Sequence, residues 1–83
     1  MPQRIFHIQV GDQVFLEEGG EEIGAVRKVA HDHLVVYIEA AGDFTVPGLW
    51  VRSVHDGKVV LDPEKVDETF LAAARSAHER ETD

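Results

Sequence analysis

The chain has 83 residues, and its 16 acidic and 8 basic side chains give a formal charge of −8 at pH 7. Nucleic acids and anionic membranes are both bound mainly through Lys and Arg, so this charge argues against either as a partner. The absence of cysteine excludes disulfides, thiolate chemistry and Cys-ligated zinc. So short a chain builds only a thin core, which predicts a single domain over residues 1–83.

The beginning of the chain lacks the apolar stretch of a signal peptide, because His7 and Gln9 interrupt it. No later segment approaches the roughly 18 consecutive apolar residues that predict a membrane span. The sequence therefore predicts a cytoplasmic protein, which the lack of cysteine also favours.

Two strands are predicted in the first third of the chain. Residues 10–16 predict one strand, which ends in a polar, glycine-containing reversal over residues 17–22. Residues 23–30 predict the next, but Val26 and Val29 are three positions apart and cannot share one face of a regular strand. We therefore expect a bulge between them.

The clearest strand is predicted over residues 33–40, followed by a turn at Gly42-Asp43 and a short strand over residues 44–46. Alternation places one set of apolar residues on a single face, namely Leu34, Val36, Ile38 and Ala40. This face is expected to line the core.

Residues 51–61 predict a β-hairpin whose two-residue turn is Asp56-Gly57, because both residue types tolerate the positive φ of a type I′ turn. This register pairs Val54 with Val59. It also places Arg52 at the edge of the same face.

After this hairpin the apolar period changes to that of a helix, predicted over residues 63–79. Asp62 is the expected N-cap, and Pro63 suits the first helical position, where no amide donor is needed. The apolar stripe consists of Val66, Phe70, Ala73, Ala74 and Ala77. This stripe either covers the open side of its own barrel or pairs with a second subunit.

These elements predict a mainly β fold. It is a small SH3-like, antiparallel β-barrel of five or six strands over residues 8–61, with one C-terminal α-helix. A barrel hides strand edges that would otherwise invite aggregation. We expect its interior to be packed solid, so that its outer surface carries the function.

Three runs of the chain resemble a PRC-barrel-type domain, and an acidic, Ala-rich helix follows them as in that family. The runs are Ile23-Gly24-Ala25-Val26-Arg27-Lys28-Val29, Val46-Pro47-Gly48-Leu49-Trp50-Val51 and His55-Asp56-Gly57-Lys58-Val59-Val60-Leu61. The nearest likeness is to short, uncharacterised bacterial proteins related to that superfamily. PRC-barrel domains act as protein-docking modules in ribosome-maturation factors and in a photosynthetic reaction-centre subunit. The resemblance thus implies a non-enzymatic binding or assembly role, with a ribosome-maturation-related accessory role as an alternative.

The candidate contact residues are Tyr37, Trp50 and Arg52, because exposed aromatic and Arg side chains dominate interface energetics. For Trp50 we favour a role as a plug of the barrel rim, since one indole buries a large apolar area. The expected partner is another protein or a second copy of the chain. A small-molecule ligand is not expected, because so few residues leave little room for a deep cavity.

His31, His33 and His55 are the candidate ligands of a metal site or the candidate groups of a pH sensor. On a strand, positions 31 and 33 project to one side, and His55 or Asp56 would supply a third ligand if the hairpin lies nearby. Structural zinc sites use four ligands, however, so an exposed turn is the favoured interpretation. No metal or other cofactor is expected.

The glutamate-rich run over residues 17–22 could bind a divalent cation or a basic partner, but it lacks the ligand spacing of an EF-hand loop. A solvated turn is the favoured interpretation. No catalytic residue is predicted, because Ser53 and Ser76 lie outside any nucleophile elbow and no loop is built to hold phosphate. The sequence therefore predicts that the protein is not an enzyme.

Overall fold

A curled β-sheet and one helix make up the part of the chain that the computed structural model describes, residues 8–39 and 41–82, with side chains as far as residue 76. The elements in chain order are β1 (Gln13–Phe15), β2 (Glu22–Val29), β3 (His33–Ile38), β4 (Gly42–Pro47), a 3-10 turn (Gly48–Trp50), β5 (Val51–His55), β6 (Lys58–Leu61) and α1 (Glu68–Thr82). The prediction of a mainly β fold with one C-terminal helix is confirmed. No helix within these ranges is long and apolar enough to cross a membrane.

The strands form a half-barrel in the order β4-β3-β2-β1-β6-β5, with β4 and β5 as the edges. The sheet is mixed rather than wholly antiparallel, because β1 and β6 run parallel while the other neighbouring pairs are antiparallel. The parallel pair arises from the 3-10 turn, which connects the edge strand β4 to the opposite edge strand β5 without reversing the direction of the chain. β5 therefore runs in the sense of β4, and β6 returns parallel to β1.

β1 is shorter than the strand predicted over residues 10–16, because a turn occupies residues 9–12. The Asp12 amide donates to the Gln9 carbonyl at 3.1 Å, and the Asp12 carboxylate accepts from the Gln9 amide at 2.9 Å. Gly11 supplies the positive φ of 99° that this turn needs. The strand prediction overlooked Gly11-Asp12, a pair of residue types common in turns.

β2 contains the predicted bulge, since its register with β3 shifts between Val26 and Lys28. Val26 is buried and Val29 packs against the core, so the bulge places both side chains inward. β2 also approaches β3 closely at Gly24, where a Cβ would collide with the backbone oxygen of Tyr37.

β3 corresponds to the strand predicted over residues 33–40, and its alternation holds, but it ends at Ile38. The turn predicted at Gly42-Asp43 comes earlier, where the Ala41 amide donates to the Ile38 carbonyl at 2.9 Å, and β4 already begins at Gly42. Leu34, Val36 and Ile38 are each 0% exposed, which confirms the predicted core face. Ala40 lies outside the described residues.

The hairpin of β5 and β6 has the predicted turn and pairing. Asp56 and Gly57 have φ values of 54° and 73°, and Val54 pairs with Val59. A register shift between Val51 and Ser53 alters the start of β5. Val51 takes the inward position, whereas Arg52 is exposed, so the face predicted for Arg52 is wrong.

α1 begins at Glu68 rather than at Pro63, because Asp67 and not Asp62 is its N-cap. Asp67 Oδ1 accepts a hydrogen bond from the Phe70 amide at 2.9 Å. Asp62 forms a separate turn, in which its Oδ1 accepts from the Glu64 amide at 3.0 Å. The residues after Pro63 therefore approach the sheet before the helix starts.

The helix fills the concave side of its own half-barrel. Phe70 and Ala74 are each 1% exposed, and Val66 is 7% exposed. Ala73 packs at the margin of the same cluster, while the side chain of Ala77 lies outside the described part. The described part of the stripe thus packs against its own sheet. The buried cluster comprises Ile8, Val14, Val26, Leu34, Val36, Ile38, Val46, Val51, Val59, Leu61, Val66 and Phe70.

Candidate functional site

Ionisable side chains of the described residues all lie at the surface. Among residues 8–39 and 41–76, no polar or charged residue is buried, so the packed interior holds no desolvated acid or base. Nor do the described residues include three or more His, Asp or Glu side chains arranged to hold a metal ion. The chemistry that this part of the chain offers is therefore that of its outer surface.

His31 and His33 flank Asp32, with His31 and Asp32 in the loop between β2 and β3 and His33 at the start of β3. His33 Nδ1 lies 2.7 Å from Asp32 Oδ1, and His31 Nε2 lies 4.0 Å from Asp32 Oδ2. The hydrogen bond with His33, aided by the positive charge that both imidazoles can carry, lowers the pKa of Asp32 below its ordinary value. β3 begins at His33, so the two imidazoles do not project from one strand as the sequence suggested.

His55 lies at the other end of β5 from this loop. The Gly48 amide donates to the Asp32 carbonyl at 3.0 Å, which places the loop near the start of β5, whereas His55 ends that strand. A strand of this length spans roughly 13 Å. The structure therefore does not bring His31, His33 and His55 into one site.

Glu18, in the loop between β1 and β2, forms hydrogen bonds with two side chains of strand β5. Its Oε2 accepts hydrogen bonds from Ser53 Oγ at 3.2 Å and from His55 Nε2 at 3.3 Å. The hydroxyl of Ser53 donates to a carboxylate rather than to the imidazole, which is not the nucleophile–base pairing of a hydrolase. Sequence reasoning missed this cluster, because only the pairing of β1 with β6 brings these distant positions together.

Tyr37 lies on the outer face of β3 beneath Arg27. The guanidinium carbon of Arg27 is 4.6 Å from the centre of the Tyr37 ring, and its Nε is 3.0 Å from Asp43 Oδ1. Arg52 is exposed on β5, with β2, β1 and β6 between it and Tyr37 in the sheet. Tyr37 and Arg52 thus lie on strands that are not neighbours in the sheet, whereas Trp50 directly precedes β5, the strand that carries Arg52.

The 3-10 turn presents an apolar side chain to solvent. Leu49 is 79% exposed, while the next residue, Trp50, is half-buried with its ring 5.8 Å from that of Phe70. The Trp50 carbonyl also accepts from the Asp62 amide at 2.8 Å. Trp50 therefore packs at the rim of the half-barrel, as favoured above. Leu49 was missed, because the sequence does not show which of two adjacent large side chains a 3-10 turn directs outward.

The loop between β1 and β2 forms an open cavity of about 390 Å³, lined by Leu16, Glu17, Gly20, Glu21 and Ile23. Leu16 and Ile23 provide an apolar floor that packs against the core, while Glu17 and Glu21 are exposed. We call this cavity the acidic-rimmed groove. It is a second surface feature, separate from the 3-10 turn in the chain.

No family model matches the chain, and comparisons with curated proteins and with solved structures find no match. The function is therefore inferred from the surface residues themselves.

Proposed function

We propose that the protein is a non-enzymatic protein-interaction or assembly module of the PRC-barrel type. Leu49 carries this proposal, because a side chain that is 79% exposed at the tip of a 3-10 turn is available to enter an apolar pocket of a partner. The interior is filled by the helix, so a binding role for the outer surface suits the fold.

The surroundings of Leu49 favour a rigid contact. Trp50 is held by the ring of Phe70 and by the Asp62 amide, so the turn is fixed before a partner arrives. A contact group that is already ordered loses less conformational entropy on binding, which increases affinity. This preorganisation supports the exposed leucine as an anchor.

Charge favours a different protein as the partner over a second copy. Each chain carries a formal charge of −8, so two copies repel one another at long range. A partner with a neutral or basic surface meets no such barrier. We therefore assign the surface at Leu49 to a heterologous protein.

Site-specific photo-crosslinking in the native host tests the proposal. A photo-reactive phenylalanine analogue is placed at position 49 and, as the control, at position 10, since Val10 is also an exposed apolar residue, at 67%. We expect a discrete protein to be captured from position 49 and not from position 10. Equal capture from the two positions would contradict the assignment, and a product of twice the chain's mass would replace the heterologous partner by a second copy.

Binding of the purified captured protein completes the test. Leu49→Asp is expected to weaken its affinity by about tenfold or more, which corresponds to roughly 1.4 kcal/mol. Val10→Asp adds the same charge at another exposed apolar residue and is expected to leave affinity unchanged. If Leu49→Asp binds as the wild type does, the surface is not the docking site.

A further inference from the structure

We infer that the outer edge of β4 pairs with an extended segment of the heterologous partner, which adds a strand to the sheet. This inference rests on the proposed function and names the form in which the partner binds. It is carried by the backbone groups that β4 directs away from the sheet, by the difference between the two sheet edges and by the position of Leu49.

The backbone groups of β4 alternate between β3 and the outer edge. The His33 carbonyl accepts from the Ala30 amide at 2.9 Å, and Ala30 directly follows β2, so His33 directs its backbone groups to the β2 side of β3. Successive residues of a strand direct these groups to opposite sides, so every second residue of β3 from Leu34 onward bonds to β4. The paired positions are Leu34 with Val46, Val36 with Phe44, and Ile38 with Gly42. The amides and carbonyls of Asp43 and Thr45 therefore face away from the sheet.

This outer edge is accessible. Asp43 and Thr45 are exposed, and among the described residues β3 is the one strand that pairs with β4. Unpaired amides and carbonyls at strand spacing are the groups to which an added strand forms hydrogen bonds. Pro47 has no amide donor and therefore ends the edge.

The two edges of the sheet differ in how well they are protected against pairing. Bulges and exposed charges are common means of protection. β4 pairs with β3 at all six residues without a register shift, and its one charged side chain, Asp43, is 3.0 Å from Arg27 Nε. β5 has a register shift between Val51 and Ser53 and carries the exposed Arg52. Of the two edges, β4 is therefore the one suited to accept a strand.

A segment of a different protein fits this edge better than a second copy of the chain. Two copies, each with a formal charge of −8, repel one another. β4 also leads directly into the 3-10 turn, so a segment paired with β4 lies beside Leu49, the proposed anchor. Phe44 is half-buried, which leaves part of its ring for an apolar side chain of the segment. We therefore expect an uncharged or basic segment of β-forming residues.

Photo-crosslinking from β4 in the native host is the first test. The photo-reactive phenylalanine analogue is placed at position 45 and, as the control, at position 28, because Lys28 is exposed on β2 within the sheet. We expect position 45 to capture the same protein as position 49, and position 28 to capture none. Capture at position 49 alone would overturn strand addition and leave the interaction module intact, whereas capture at neither position would overturn both. A product of twice the chain's mass from position 45 would overturn the heterologous segment in favour of a second copy.

Amide hydrogen exchange of the isotope-labelled full chain distinguishes strand addition from mere proximity. In the free chain, the amides of Asp43 and Thr45 should exchange quickly and those of Phe44 and Val46 slowly, because only the latter two bond to β3. Adding the purified captured protein should slow exchange at Asp43 and Thr45 by about tenfold or more. Unchanged exchange at these two amides would overturn strand addition even where Leu49 contacts the partner.

A matched pair of variants at position 45 completes the test. Thr45→Pro removes an outward amide without removing a bond to β3, and it is expected to weaken affinity for the captured protein by about tenfold or more. Thr45→Val keeps the amide and should leave affinity within about twofold of the wild type. Equal affinity of the two variants would overturn the inference. Urea denaturation checks that the proline variant folds, and the exchange measurement on the wild-type chain decides the question if it does not.

Discussion

Phe70 of α1 packs edge-on against Phe44 of β4, with ring centres 5.6 Å apart and ring planes at 90°. This geometry places the positive edge of one ring against the negative face of the other, which is a favoured aromatic arrangement. Because β4 is an edge of the sheet, the contact joins the helix to one side of the half-barrel. Trp50, 5.8 Å from the same ring, extends the contact to the 3-10 turn.

Phe70→Ala should therefore remove the main attachment of the helix. Truncation of a buried Phe costs about 3–5 kcal/mol, and the total stability expected for a chain of this length is only roughly 4–12 kcal/mol. Urea denaturation should show a large fall in midpoint, and circular dichroism a loss of helix. Leu49→Ala is the control, since truncation at an exposed site should stay within about 0.5 kcal/mol. A cost below about 1 kcal/mol for Phe70→Ala would contradict the role of this ring.

The N-cap can be assigned by comparing two aspartates. Asp67→Ala should cost about 1 kcal/mol and lower helical content, because it removes the acceptor of the Phe70 amide. Asp67→Asn should retain most of the stability. Asp62→Ala removes only a turn contact to the Glu64 amide and should leave the helical signal intact. Equal loss of helix in both alanine variants would mean that the helix begins earlier than Glu68.

Local patterns in the sequence predicted most of the fold. The spacing of Val26 and Val29 indicated the bulge in β2, and Asp56-Gly57 indicated the hairpin turn. These features depend on residues close together in the chain, so their signals are local. The start of α1 was wrong because Asp62 and Asp67 are both suitable caps, and the choice between them depends on how the intervening turn meets the sheet.

The surface was harder to predict, because its contacts join distant parts of the chain. The bond between Glu18 and His55 depends on the parallel pairing of β1 with β6, which no local pattern encodes. The separation of His31 from His55 follows from the direction in which β5 leaves the 3-10 turn. A cavity such as the acidic-rimmed groove likewise exists only once β1 and β2 are paired.

The turn at Asp56 gives a direct test of backbone conformation. Asp56 has a φ of 54°, in the left-handed region that costs an ordinary L residue about 1–2 kcal/mol and that Asp and Asn tolerate better. Asp56→Ala should therefore destabilise the chain by about 1 kcal/mol, while Asp56→Asn should remain within about 0.5 kcal/mol. Urea denaturation of both variants makes the comparison. Equal stability of the two would exclude a conformational cost at this position.

Close packing between β2 and β3 predicts a local effect of Gly24→Ala. The added methyl group would collide with the backbone oxygen of Tyr37, and such overpacking costs about 1–3 kcal/mol. Amide hydrogen exchange should accelerate in β2 and β3 more than in β6. Gly11→Ala is the control, because its Cβ would meet nothing within 4 Å and its cost arises only from the φ of 99°. Uniform acceleration across the sheet in Gly24→Ala would argue against a local collision.

Asp32 should titrate below its ordinary pKa of 3.8, because His33 stabilises its carboxylate by a hydrogen bond. The folded chain then binds this proton more weakly than the unfolded chain does. The resulting stabilisation is complete above pH 3.8 and is lost as the pH falls through the lower pKa of the folded state.

An NMR titration of the Asp32 carboxyl carbon can measure this shift. His33→Gln should move the midpoint up towards 3.8, and His31→Gln should move it less, because the His31 nitrogen lies 4.0 Å from the carboxylate compared with 2.7 Å for His33. If His33→Gln leaves the midpoint unchanged, the hydrogen bond is not the cause. An equal effect of both variants would assign the shift to the charge of the two imidazoles, because charge attraction acts at both distances whereas a hydrogen bond requires the shorter one.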